Sequence, residues 1–421
     1  MQRKVNFIIL FTTLISGALI SSAQTLRYED KIYDENVKSV QLYPLSQERY
    51  PEYQSAIIDV RQQTPLQLKF DELYYDYSDY IFKLIRCTAD WKKSNMVELE
   101  YLFEYNEFPI QNYQYSQNTK VPYTSYEVTL PRVKQPGNYL LAVYRRSDGE
   151  QLILTKRFVV YTNSVEISPV FGNRIINTSN PKMHQFEFKV NYSNMETFSP
   201  TQDFKLVIRQ NQRWDNMLTD LTPSMIREDI GTIEFRGFSG ENALQAGNEF
   251  RLFDLRGYTY RGQNISSIDR KPDVTEAYVI PEESRNGLAY GIYEDQNGKY
   301  YNQTLEPGSI DLEADYVKVN FSLRIPKVKE KLYVLGAYNI WQKEKDNLMT
   351  YNPSKEQYQA QILIKQGFYN YIYWLDNDTP WNYEGSHFET ENQYEIFVYY
   401  RAPGTQFDIP VGYLSLFSGI N

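Results

Sequence analysis

Apolar and polar residues alternate one by one through many short segments of this 421-residue chain, and that period of two restricts its fold more than any other feature. Successive side chains on a strand point to opposite faces, so such a segment buries one face and wets the other. Val37-Lys38-Ser39-Val40-Gln41-Leu42-Tyr43, Leu66-Gln67-Leu68-Lys69-Phe70, Tyr126-Glu127-Val128-Thr129-Leu130 and Phe186-Glu187-Phe188-Lys189-Val190 all read this way, and Tyr316 to Ile325 alternates again. Turn chemistry separates the segments. Lys134-Gln135-Pro136-Gly137-Asn138 precedes a strand from Tyr139 to Tyr144, and Ser147-Asp148-Gly149 joins that strand to Leu152 to Tyr161. Gln296-Asn297-Gly298, between Tyr290-Gly291-Ile292-Tyr293 and Tyr300-Tyr301, predicts a further hairpin. Helical periodicity is weak, and only Asn216 to Ile226 reads as a short helix. With 39 Tyr and 22 Phe against 7 Met, composition favours half-buried pleated surfaces. The expected fold class is all-β: tandem immunoglobulin- or fibronectin-like β-sandwiches.

Met1-Gln2-Arg3-Lys4 makes a positive start, Val5 to Ile20 an apolar stretch, and Ser21-Ser22-Ala23 a small-residue cleavage site. Residues 1–23 therefore read as an export signal peptide, with cleavage expected after Ala23. The apolar run is short for a hydrocarbon core of about 30 Å. No cysteine follows it, which excludes a lipidated N-terminus of the lipoprotein kind. The formal charge of −9 grows more negative once Arg3 and Lys4 leave with the signal. That acidity argues against nucleic acid, and against an anionic membrane, as the main partner. Three units are expected: an N-terminal β-sandwich over 24–161, a middle β-rich domain over 162–311, and a C-terminal early-set-like β-sandwich over 312–421.

The inventory for catalysis is thin. His184 and His387 are the only histidines, and neither lies in a spaced ligand motif. No G-x-S-x-G elbow is present. Neighbouring acids such as Asp71-Glu72 and Glu282-Glu283 read as solvated turns rather than as a carboxylate pair across a cleft. Glu294-Asp295-Gln296-Asn297-Gly298 lacks the later glutamate of a calcium loop. Cys87, the single cysteine, has no partner for an intramolecular disulfide and reads as a small buried hydrophobe near Trp91. No catalytic, cofactor-binding or metal-binding residue is assigned, and the expectation is a protein that is not an enzyme. Two alternative readings stand beside this one. Leu332 to Trp341 and Gly367 to Trp374 have the layout of a glycan-binding sandwich, in which Trp341 and Trp374 would stack on sugar rings, although alternation also lets them fill a core. An outer-membrane barrel fits poorly, because strand lengths vary and Lys and Glu recur through the strands.

Several stretches together carry a resemblance. Leu66 to Leu73, Cys87-Thr88-Ala89-Asp90-Trp91-Lys92-Lys93-Ser94, Gln114 to Thr119, Tyr126 to Pro131, Gly137 to Leu141, Glu384 to Tyr394 and Val398 to Arg401 resemble the type IX secretion system plug protein family. Arg86 departs from the pattern, which has histidine before the cysteine. The resemblance implies a periplasmic protein, without cofactor or membrane insertion, held at the outer membrane by a protein partner. That partner would be the translocon β-barrel, whose periplasmic opening the plug occludes. Partner contact then falls to exposed loops. Between Tyr105 and Tyr126 the chain carries Phe108, Tyr113, Tyr115 and Tyr123 among Asn, Gln and Ser residues, a composition suited to adaptable protein contact. These four are the candidate partner-binding residues.

Overall fold

The structure, a computed structural model, describes residues 25–418 except 63, 148, 171–174, 178–179, 238–239, 307, 309 and 377–380; the expected signal peptide lies outside them. Strands make up 45% of the chain and helix 7%, so it is all-β, as the alternation requires. No described helix is long and apolar enough to cross a membrane.

The first sandwich pairs two sheets. One runs Lys31–Ile32, Gly149–Tyr161, Gly137–Ser147, Tyr80–Cys87, Phe108–Ile110, with Ile57–Asp59 added in parallel to Gly149–Tyr161. The other runs Val37–Pro44, Leu66–Glu72, Thr124–Thr129, Asn112–Tyr115. Leu66, Leu68 and Phe70 from one sheet meet Tyr80, Phe82, Leu84, Tyr139, Leu141 and Val143 from the other in a single core. In Leu66–Glu72 every second residue points inward, as predicted, whereas Val37–Pro44 bulges between Lys38 and Gln41 so that Val37, Val40 and Leu42 reach the core; each fully buried large side chain contributes about 1.5–3 kcal/mol. Ring geometry fixes register: Phe70 stacks on Tyr126 at 5.1 Å, and Tyr80 meets both edge-on at 5.3 and 4.9 Å. The expected turn at 147–149 closes its hairpin, with Ser147 opposite Gly149.

The remaining sheets do not follow chain order. Phe204–Gln210 is hydrogen-bonded along its length to Gln393–Tyr400, which continues to Ile409–Phe417. Facing them are short sheets built on Phe188–Asn191 and Met183–Phe186. One core therefore joins Val165, Phe186, Phe188, Ile208 and Ile233 to Tyr394, Ile396, Val398 and Val411. Another core lies wholly between, from Phe253 to Leu375. Its larger sheet sets Thr275–Val279 parallel to Tyr316–Arg324, which pairs antiparallel with Gln357–Lys365. The expected boundary between residues 311 and 312 falls inside this core. We propose that the chain has three units: one ending at Tyr161, a second from Thr162 to Asn248 resumed from Gly385 to Ser418, and a third inserted between them.

Three local expectations also give way. The predicted strand over 186–190 breaks at Glu187, with Phe186 ending one sheet and Phe188 starting another. Asn216 to Ile226 holds the short strands Met217–Leu218 and Met225–Arg227 rather than a helix. Asn297 and Gly298 do turn, at φ 53° and 84°, but Tyr290 to Tyr293 is not a strand, and Tyr300–Asn302 pairs with Gly367–Leu375 instead.

Buried joints tie the units. Between the first and second, Cys87, Leu140 and Val159 on the outer face of one sheet pack against Val207, Phe397 and Tyr399. Trp91 meets Trp214 edge-on at 4.7 Å, Arg209 lies 3.9 Å over Trp214, and Arg157 reaches both rings. Arg86 crosses the same joint, donating to the carbonyls of Pro136 at 3.0 Å and Asp408 at 2.9 Å. A Cβ on Gly137 would sit 2.8 Å from the Arg86 guanidinium, so any larger residue there would have to displace that side chain. Between the first and third units, Lys365 Nζ donates to Asp71 Oδ2 at 2.7 Å, and the Tyr316 hydroxyl donates to the same oxygen at 2.8 Å. Between the second and third, the two crossovers run side by side. Asn392 donates to Ala246 O and Thr390 to Gly247 O within the second unit, Asn248 donates across to Glu384 O, and Glu384 is held in the third unit by Arg251 and Arg285.

Candidate contact surface

The second sheet of the first sandwich ends at Asn112–Tyr115, which pairs only with Thr124–Thr129 among the described residues. Its other edge presents unpaired backbone groups, a template for an incoming chain. The tyrosine-rich turn Leu73 to Asp79 folds beside this edge. Tyr77 lies 4.8 Å from Tyr113, Tyr75 lies 5.0 Å from Tyr115, and Tyr113 lies 5.7 Å from Tyr115. The four rings form a ladder, with Tyr75, Tyr77 and Tyr113 exposed at 54, 41 and 37%. Asp79 accepts from the Tyr77 hydroxyl at 3.4 Å, and Tyr75 donates to Ser116 O at 3.3 Å, so the rings are oriented before any partner arrives. Preordered aromatic rings with polar tips give large contact area at low entropic cost. A second exposed apolar turn, Val97, Leu99, Phe103 and Tyr105, lies before Phe108–Ile110.

The four predicted contact residues separate. Tyr113 and Tyr115 lie in the ladder. Phe108 is partly buried and stacks on Phe82 at 5.0 Å. Tyr123 is fully buried within the chain itself, and this corrects its assignment as a partner contact. Its hydroxyl donates to Leu312 O at 3.2 Å and Ala314 O at 3.1 Å, and Lys365 Nζ lies 4.0 Å from its ring. The loop tip around it is bound too. Gln117 N donates to Leu312 O, and Lys120 N and Val121 N donate to the two Asp315 oxygens. The aromatic-polar composition of 105–126 thus serves two purposes: its strand faces solvent and its tip clasps the third unit. Tyr75 and Tyr77, which are not among the four candidates, share the ladder, and Tyr74-Tyr75-Asp76-Tyr77 is the sequence signal of that aromatic turn.

Other candidates are absorbed by structure. His184 is buried with both ring nitrogens engaged, Nε2 donating to Phe388 O at 2.6 Å and Nδ1 accepting from the Tyr394 hydroxyl at 2.7 Å; burial lowers its pKa. Cys87 is a buried free thiol, pushed up to about 12 by burial. Arg213 covers Trp341 at 4.2 Å and Trp374 at 4.9 Å, occupying faces that a sugar ring would need. Among the described residues no cluster of His, Cys, Asp and Glu could hold a metal ion.

Residues 37–162 match the family model described as type 9 secretion system plug protein 1st domain. The match spans the first sandwich except its opening strand, and it bears out the family resemblance there. A crystal structure of a hypothetical protein from Parabacteroides merdae is similar over nearly the whole chain, with a TM-score of 0.86 at 27% identity, covering 94% of this chain and 100% of that one. No curated protein matches.

Proposed function

We propose that this chain, which carries a type 9 secretion system plug protein 1st domain, is a non-enzymatic periplasmic plug that occludes the periplasmic mouth of the translocon barrel and docks through the tyrosine edge of its first sandwich. The family match over residues 37–162 carries the reading. A barrel wide enough to pass folded proteins is a water-filled hole, so its resting state needs a stiff body at one end. Stiffness is supported by the buried joints, since packed interiors transmit strain rather than yield to it. Function on this reading is steric, and the exposed ladder offers what the joints do not: rings still free to bury area on a partner.

The test is affinity capture of the full exported chain from native membranes. The outer-membrane barrel should co-elute, and a chain carrying Tyr75→Ser, Tyr77→Ser and Tyr113→Ser should melt normally yet lose the barrel. A wild-type chain that brings down no barrel would sink the plug reading. A triple variant that keeps the barrel would remove only the ladder from it.

A further inference from the structure

All three units meet around one cavity of about 450 Å³, in the size range of small-ligand sites. Tyr50 and Tyr53 line it from the first unit together with the exposed Glu48 and Arg49, the latter 5.2 Å over the Tyr50 ring; Tyr413 and Phe417 line it from the second and Lys299 from the third. The aromatic wall is preordered: Tyr50 lies 5.4 Å from Tyr53, and Tyr301 behind them lies 4.5 and 5.6 Å from the two. Beneath, Tyr413 donates to Glu395 at 2.8 Å, and Glu395 is neutralised by Arg209 at 2.6 Å. Those groups are committed to one another. Lys299 is not. Its ammonium lies 5.9 Å from the Tyr53 ring centre, and among the described residues no carboxylate comes within 4.0 Å of it. Burial lowers its pKa, while the more distant charges of Glu395, Asp295 and Glu391 act the other way. A partly buried cation without a counter-ion is unfavourable unless a ligand supplies one.

We propose that this cavity binds an organic carboxylate with an apolar or aromatic body, its carboxylate paired with Lys299 and its body against Tyr50, Tyr53 and Phe417. The carboxylate is either that of a free small acid or the C-terminus of a peptide. Because all three units supply walls, occupancy also resists their separation and raises the melting temperature by mass action. The inference does not depend on the translocon reading.

Calorimetry and thermal melting on the full exported chain test it with four probes: N-acetylphenylalanine, its amide, and an Ala-Ala-Ala-Phe peptide with free or amidated C-terminus. At least one free acid should bind and raise the melting temperature, with its amide weaker by about tenfold or more, roughly the difference one charge-assisted contact makes. Binding of the peptide acid alone assigns a chain end; binding of both acids assigns the free carboxylate. Lys299→Met should abolish the preference for acid over amide and, without ligand, should melt no lower than wild type, because it removes an unpaired charge. Should that variant fail to fold, Tyr53→Leu should weaken the acid and leave Lys299 in place. Acids and amides binding alike, no binding at millimolar concentration, or a preference surviving in Lys299→Met overturns the proposal.

Discussion

Two aromatic regions of the first sandwich differ in what covers them. Trp91 is held at φ 56°, a left-handed backbone uncommon for a bulky residue, under Trp214 with Arg157 across both rings. The ladder of Tyr75, Tyr77, Tyr113 and Tyr115 leans on its own rings and keeps one side in solvent. Both stretches are aromatic and polar in sequence. Only one has another unit packed on it, and that cover separates a structural joint from a surface free to meet a partner.

The largest effects should come from the joints. Lys365→Met leaves the Asp71 charge buried without its cation, and urea unfolding should register a loss of about 3–5 kcal/mol. Adding Asp71→Leu should restore much of it; a Lys365→Met loss below about 1 kcal/mol would show that the first and third units are not locked there. Trp214→Ala, on the joint side of the comparison, should cost about 3 kcal/mol or more by the same measurement.

The second-to-third joint supplies a pH test. Asp295 accepts from the backbone N–H groups of Phe250 and Asn297, and it is pushed up to about 7, by burial first and then by the Glu249 charge beside it. Tyr290, which donates to Glu249 at 2.6 Å, Glu391 and Lys299 also face this site. A carboxyl whose pKa is higher folded than unfolded favours folding when protonated, so its contribution is full below about pH 4 and lost as pH rises through about 7. Urea midpoints at pH 5 and 8 should differ in that direction, and Asp295→Asn should narrow the gap. An unchanged gap would assign the dependence elsewhere.

On the thiol, an alkylating reagent should leave Cys87 unmodified in native protein and react after denaturation; prompt native reaction would show that the first joint opens. Smallest of all, Tyr77→Ser and Tyr113→Ser should each shift stability by no more than about 0.5 kcal/mol, as surface changes do. A loss comparable to that of Trp214→Ala would erase the distinction between ladder and joint.

Much of the fold was legible because the pleat writes itself into the sequence. Strands at Val37–Pro44, Leu66–Glu72 and Tyr316–Arg324 coincide with alternating runs, and the 147–149 turn lies where Gly149 needs φ 115°. The site was half legible. Composition pointed to Tyr113 and Tyr115, which lie on an edge strand with Tyr113 exposed, and equally to Tyr123, which is buried, because exposure depends on what packs over a ring and not on the ring. The stretch Glu384 to Tyr394 carries a resemblance in sequence, but only the structure gives its contacts: Glu384, Ser386, Thr390 and Asn392 bind the outgoing crossover near Gly247.

By itself the sequence determined that this chain is all-β, which faces of its strands are apolar, and that it carries two histidines and one cysteine. These follow from local periodicity and inventory. Tertiary structure alone decided that Phe204–Gln210 waits nearly two hundred residues for Gln393–Tyr400, that an entire core is inserted between them, and which tyrosines remain uncovered. Such pairings are set by burial summed over both partners, and no window along the chain contains both.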